Sequence, residues 1–194
     1  MEKDGQGRRH LWFWWLVFLL FVGLALVIAF KVSSIKIKVQ KNQPGLYSIA
    51  HFVDGDTIAV NMNGTEETIR MIGVDTPETH KPNTPVQCYG EEAASYTKQL
   101  IGNSKVRLQA DPLDTNRDRY GRLLRYVYLG DDTLVEEKII TDGYGFAYTS
   151  FPFEKTAQFK MDEQVAKQNN RGLWAACEVL VESNGVRQTN PAAH

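Results

Sequence analysis

From Leu11 to Phe30 the chain reads LWFWWLVFLLFVGLALVIAF, twenty residues without one charged side chain. At about 1.5 Å of rise per residue, a helix of that length spans the roughly 30 Å hydrocarbon core of a bilayer. The run predicts an N-terminal transmembrane helix. Trp12, Trp14 and Trp15 crowd its leading end, where an interfacial aromatic belt sits. A cleavable signal peptide is the rival: Arg8 and Arg9 form a basic leader, and Val27-Ile28-Ala29 resembles a small-residue cleavage site. The run exceeds the usual apolar region of about 7–15 residues, which favours an uncleaved anchor; cleavage would make the rest a secreted protein. Lysines and arginines flank both ends, so the positive-inside count leaves the orientation open.

The anchor divides the chain into a short tail (1–10), the span (11–30), a basic linker (31–43), a domain over 44–180 and a polar tail (181–194) that reads as disordered. Of 22 basic and 23 acidic residues, seven basic and two acidic lie before residue 44, leaving 15 against 21 beyond it. An acidic domain argues against a passive nucleic-acid binder held by charge alone. It permits a site where carboxylates hold a cation and a few arginines hold an anion. The two cysteines, Cys88 and Cys177, lack the close spacing of a zinc half-site, and the residues leave a disulfide and two buried thiols both open.

Pro44-Gly45 marks the start of the domain. Tyr47 to Asn61 is strand-like, with its apolar parity changing across Asp54-Gly55-Asp56, as a turn or bulge would do. Asn63-Gly64 signals a hairpin into a return strand over Thr65–Val74, with a bulge at Gly73 and a stop at Pro77. Helices are expected over Glu91–Ile101, Thr133–Thr141 and Phe153–Asn169, and strands over Lys105–Gln109 and Arg122–Leu129. Strands first and helices later make an α+β fold, and a small barrel with helices on one side fits.

Four groups carry potential chemistry. Asp54-Gly55-Asp56-Thr57 places two carboxylates in an apolar stretch, where each costs desolvation unless something receives it, although Asp and Gly also serve turns. In Arg70-Met71-Ile72-Gly73-Val74-Asp75-Thr76-Pro77-Glu78, an arginine inside an apolar strand calls for a partner, an aspartate or a bound phosphate. Pairing Asp56 with Asp75 would build an oxygen-rich pocket for a hard cation such as calcium, leaving a glutamate to act as base. Asp118-Arg119-Tyr120-Gly121-Arg122 reads as a solvated loop or, with Arg70, as a two-arginine grip on phosphate. Among Tyr120, Tyr144, Phe146, Tyr148, Phe151 and Phe153 most belong to a core, while Tyr120 and Tyr148 suit base stacking.

The ordered set VDGDT, RMIGVDTPE and DRYGR, followed by GLW at 172–174, resembles the staphylococcal nuclease (thermonuclease) family over about residues 46–178. The resemblance implies a five-stranded OB-fold barrel with packed helices, and a calcium-dependent endonuclease that hydrolyses DNA and RNA with little sequence preference, single strands preferred, leaving 3′-phosphates. By motif, Asp56 and Asp75 resemble the calcium carboxylates, with the carbonyl of Thr76 as a further ligand and Asp54 alongside. Glu78 resembles the general base, Arg70 and Arg122 the phosphate-binding arginines, and Arg119, Tyr120 and Tyr148 the substrate contacts. A second tyrosine expected in the family is Ser150 here, which shifts stacking toward Phe151. Cys88 and Cys177 resemble a disulfide pair of secreted members. Together with the short leading tail, this implies an extracytoplasmic domain tethered to a membrane. The alternative is the same barrel kept as a non-catalytic module that binds nucleic acid or protein.

Overall fold

Alternation of buried and exposed side chains organises the chain after residue 45 into a barrel whose rim carries the candidate residues. The computed structural model describes residues 14–15, 17–26, 45–79, 85–183 and 185–192. It divides into two units, 1–42 and 43–194. In the first, residues 14–15 and 17–26 are helical, and Trp14, Trp15, Phe18, Leu20 and Leu26 are all exposed. No helix among the described residues is long and apolar enough to cross a membrane. The ends of the expected 11–30 span, and the 31–43 linker, lie outside the described residues.

In the second unit the elements run β1 (Leu46–Asp54), β2 (Thr57–Met62), β3 (Thr65–Met71), β4 (Val74–Asp75), α1 (Gly90–Ile101), β5 (Val106–Gln109) and β6 (Leu123–Tyr128). Then come α2 (Val135–Thr141), β7 (Phe146–Ala147), α3 (Thr156–Gln168), α4 (Leu173–Ala176), β8 (Val179–Val181) and β9 (Arg187–Thr189). Five strands close a barrel in the order β1-β2-β3-β6-β5. All its pairings are antiparallel except β3 with β6, which is parallel. This is the OB-type barrel that the motifs imply. Ile58, Val60, Ile69, Leu123 and Val127 are fully buried inside it. Each such side chain contributes about 1.5–3 kcal/mol relative to exposure.

The hairpin at Asn63-Gly64 forms as expected, both residues having positive φ of 54° and 84°. The change of parity in β1 falls earlier than the Asp54-Gly55-Asp56 turn. Ile49 faces Val60 and His51 faces Ala59, so Ala50 is an extra residue, and a second register shift between Phe52 and Asp54 leaves Val53 extra and pointing outward, 43% exposed. The first two-against-one step reverses the facing that precedes it, which turns Phe52 inward, and Asp54 is half-buried as well.

The return strand is also interrupted sooner. β3 ends at Met71, and β4 leaves the barrel to pair with β7, Val74 opposite Ala147 and Asp75 opposite Phe146. Gly73 makes the break possible: its φ is +74°, and a Cβ there would lie 2.6 Å from the Phe153 ring. Within the 181–194 tail that reads as disordered, Arg187–Thr189 forms β9, which pairs antiparallel with β8 where the tail begins, Val179 opposite Thr189. The two strands are only three residues each, Val-Leu-Val and Arg-Gln-Thr, too short to show an alternation in a pattern search.

Candidate active site

Two turns bring the carboxylates together. The β1–β2 turn is pressed against the chain after β4, where a Cβ on Gly55 would fall 2.7 Å from Thr76 Oγ1, so only glycine allows this approach. Helix α1 clamps the same turn from outside, as the Thr97 hydroxyl donates to the Gly55 carbonyl at 2.6 Å. Asp56 is thereby fixed from several sides: Thr57 Oγ1 donates to its Oδ1 at 2.8 Å and the Thr76 N–H to its Oδ2 at 3.1 Å.

Arg70, from the end of β3, joins the two aspartates. Its Nη2 lies 3.1 Å from Asp56 Oδ2 and 2.8 Å from Asp75 Oδ1. Its Nη1 donates to the carbonyls of Met71 at 2.9 Å and Val74 at 2.7 Å, which ties the chain break at Gly73 to the same side chain. Burial by itself would lower the Arg70 pKa, but the charges of Asp56 and Asp75, with smaller contributions from Tyr148 and Glu78, hold it above the ordinary arginine value. The aspartate partners expected of an arginine in this strand are in place.

Asp54 sits beside the cluster. It accepts the N–H of Gly55 at 2.8 Å and the hydroxyl of Thr79 at 3.1 Å. Burial, with the Asp56 charge adding to it, nevertheless raises its pKa. In the sequence Thr79 carries no mark beyond a hydroxyl one residue past Glu78, a common arrangement. Glu78 is half-buried and near enough to Arg70 to act on it electrostatically.

The residues fit a hard divalent cation. Asp56 and Asp75 present carboxylate oxygens on either side of one guanidinium, Thr76 follows directly, and its Oγ1 is buried with no hydrogen-bond partner. Asp54 and Glu78 raise the local excess of negative charge over the single Arg70. Among the described residues, no group of three or more His, Cys, Asp or Glu side chains is placed to hold a metal ion. Any ion would therefore rest on two carboxylates completed by backbone oxygen and water.

The second arginine belongs to a separate, exposed construction. In the β3–β6 register Leu124 stands opposite Arg70, so Arg122 lies two residues away, at the mouth of β6. Asp118 organises this loop, accepting the N–H of Tyr120 at 2.9 Å, the N–H of Arg122 at 3.0 Å and Arg122 Nε at 2.7 Å. That ion pair engages Nε, and the two Nη groups of a guanidinium are the ones suited to grip an anion. Tyr120, 67% exposed, is flanked by Arg119 at 4.8 Å and Arg122 at 5.3 Å from its ring centre. In the sequence, only the i, i+4 spacing to Arg122 marks Asp118 for this part.

Tyr148 follows β7, its N–H donating to the Gly73 carbonyl at 2.8 Å, which brings it beside Asp75 and Arg70. Phe151, 60% exposed, has its ring 6.1 Å from that of Tyr148. A pocket of about 230 Å³ opens here between Asp75, Tyr148, Ser150 and Arg187. The other aromatics sort as expected, with Phe146 and Phe153 buried and Tyr144 stacked on Tyr96 at 3.9 Å. Arg125 turns inward, fully buried against Asn116 Oδ1 at 2.7 Å, and burial pushes its pKa down to about 10. Cys88 and Cys177 are joined in a disulfide, with Cα atoms 5.9 Å apart.

Comparison with known proteins agrees with this geometry. The model of the family described as staphylococcal nuclease homologue matches residues 68–176. The thermonuclease of Staphylococcus hyicus is 42% identical over 130 residues, covering 66% of this chain and 75% of that protein. Endonuclease YncB of Bacillus subtilis (strain 168) is 44% identical over 139 residues, 70% of this chain and 65% of its own length. The thermonuclease of Staphylococcus intermedius is 38% identical over 146 residues, 75% of this chain and 82% of that protein. With its barrel, its paired aspartates around one arginine and more than half its length matched, the chain belongs to the family of staphylococcal nuclease homologues.

Proposed function

We propose that this chain is a calcium-dependent endonuclease that hydrolyses the phosphodiester bonds of DNA and RNA with little sequence preference, favours single strands and leaves 3′-phosphate ends. The observation that carries the reading is the convergence of Asp56 and Asp75 on Arg70, with Glu78 close by and Arg122 just ahead of the adjoining strand. A carboxylate pair with an oxygen-rich turn suits calcium, and calcium, when bound, supplies positive charge to the phosphate that reacts.

This chain's own groups divide the rest of the work. Glu78 takes the proton of the attacking water, as a half-buried carboxylate close enough to Arg70 to act on it electrostatically. Arg122 meets the phosphate oxygens and stabilises the charge that accumulates on them. Arg70 reaches the phosphate by exchanging part of its hold on the aspartates, and therefore keeps their positions and its own in register. Arg119 and Tyr120 contact the neighbouring phosphate, and Tyr148 with Phe151 supplies a stacking face. The reading extends to a membrane tether through residues 11–30, supported by the exposed apolar side chains of the described part, with the domain on the extracytoplasmic side, where disulfides persist.

The test is cleavage of single-stranded DNA and of RNA by the full chain, with calcium and then with EDTA. Cleavage that requires calcium and is lost in Glu78→Ser supports the reading. Intact nucleic acid in both conditions, with a folded protein that still binds it, would replace it with a binding module.

A further inference from the structure

Gln87 is unused by the proposed chemistry, yet its bonds converge on Glu78. It is 8% exposed. Its Oε1 accepts the N–H of Glu78 at 2.9 Å, and its own N–H donates to the Glu78 carbonyl at 3.0 Å. The backbone of Glu78 is thus held on both sides of its Cα by one residue. On its other face, Gln87 Nε2 donates to Gln188 Oε1 at 3.1 Å. A primary amide suits this place because it accepts from one neighbour and donates to the other; a carboxylate does the first and an ammonium the second.

Gln87 is in turn backed by the end of the chain. The Cys88 N–H donates to the Asn190 carbonyl at 2.7 Å, Thr189 Oγ1 to the Cys88 carbonyl at 2.7 Å, and the Ala192 N–H to the Val86 carbonyl at 2.8 Å. The disulfide fastens the same short segment to Cys177. At the start of β9, Arg187 pairs with Glu163 of α3 and donates to the Ala147 carbonyl of β7 at 2.7 Å. The C-terminal strand therefore straps the Glu78 segment to the side of the site that carries Tyr148.

We propose that Gln87 is a positioning residue for Glu78, and that β9 acts through Gln188 as its backing. The proposal rests on reading Glu78 as the base. A base displaced by about 1 Å loses a large part of its advantage, up to about a hundredfold in rate, without a matching loss of substrate affinity. The side chain of Gln87 touches no reacting atom, so its effect passes entirely through the placement of Glu78.

The experiment measures kcat and KM for single-stranded DNA, with the thermal midpoint, on the full chain and on Glu78→Ser, Gln87→Ala, Gln87→Glu, Gln188→Ala and the Gln87→Ala/Gln188→Ala pair. Expected is a fall in kcat of about tenfold for Gln87→Ala at nearly constant KM, in keeping with a misplaced catalytic group. Gln87→Glu, which keeps the acceptor for the Glu78 N–H, recovers most of that loss. Gln188→Ala falls between the two, and the double variant is no worse than Gln87→Ala alone. Unchanged kcat in Gln87→Ala overturns the proposal while leaving the nuclease reading intact. Additive losses in the double variant, or equal losses in Gln87→Ala and Gln87→Glu, also overturn it, since they mark general loosening. Should Gln87→Ala fail to fold, Gln188→Ala and Gln87→Glu decide the matter by the same kcat comparison. No cleavage by the wild type, or full cleavage by Glu78→Ser, removes the base assignment and the proposal with it.

Discussion

Around Arg70 the protein buries charge and pairs it, whereas around Arg122 it leaves charge at the surface and braces it from below. Arg70 gives Nη2 to two carboxylates and Nη1 to two carbonyls; Met71, Val74 and Asp75 follow it within five residues, and Asp56 comes from the turn between β1 and β2. Arg122 takes its ion pair from Asp118, four residues earlier in one loop, beneath an exposed tyrosine. The first arrangement is costly to assemble and costly to damage, because a buried charge that loses its partner keeps its desolvation penalty. On the proposed reading the second is cheap to alter in stability and expensive in function, because its guanidinium would serve a phosphate outside the fold. On that reading Arg70 thus serves the fold as well as the phosphate, whereas Arg122 is braced for the phosphate alone.

Asp56→Asn bears hardest on this contrast. It deprives Arg70 of one of two carboxylates and should destabilise the fold by about 3 kcal/mol, the low end for a broken buried pair because Asp75 remains. The loss is read in the thermal midpoint, and calcium should then raise that midpoint less than it does for the wild type. Arg122→Gly should do the reverse, lowering kcat by about 10²–10³-fold while the midpoint shifts by no more than about 1 kcal/mol equivalent. If Arg122→Gly unfolds the protein while Asp56→Asn does not, the division between the two arginines is wrong.

Glu136 extends the comparison to a buried charge outside the site. Both its carboxylate oxygens face the Val127 N–H, at 3.0 and 3.2 Å, and burial pushes its pKa up to about 8, against the lowering effect of backbone hydrogen bonds. A carboxyl whose folded pKa exceeds its unfolded one binds a proton on folding, so its contribution is full at acid pH and is lost as pH rises from about 4.5 to about 8. In chelator, the thermal midpoint of the wild type should decline across that window, and Glu136→Gln should flatten the decline. The smallest effect belongs to the exposed loop. Tyr120→Ala should raise KM for single-stranded DNA about fivefold, the loss of ~1 kcal/mol of stacking, with kcat little changed. An equal fall in kcat would give the ring a part in the reaction itself.

Much of the barrel was legible because its signals are local. Asn63-Gly64 needs positive φ, and the apolar spacing from Ala93 to Ile101 defines one face of α1. The carboxylates, arginines and tyrosines of the site were legible by motif. What stayed hidden depended on partners distant in the chain. The bulge at Ala50 is set by pairing with β2, because no residue near Ala50 marks the extra position. β4 and β7 are two residues each and exist only against one another. Gln87 falls ahead of the helix expected from Glu91, in no expected element, and its second partner is 101 residues further on.

By itself, the sequence determined which groups were available: an apolar leading segment, an acidic domain, glycines where the chain must turn or pack closely, and the residue types that suit a cation and a phosphate. Those properties follow from side-chain chemistry and short-range backbone preference, and no fold is needed to state them. Only the tertiary structure decided who pairs with whom. It gave Arg70 to Asp56 and Asp75 and Arg122 to Asp118, and turned Arg125 into the core. It also drew the last strand across to the segment that ends in Gln87. The energy of a charge depends on burial and on neighbours within a few ångströms, and closing the barrel is what sets both.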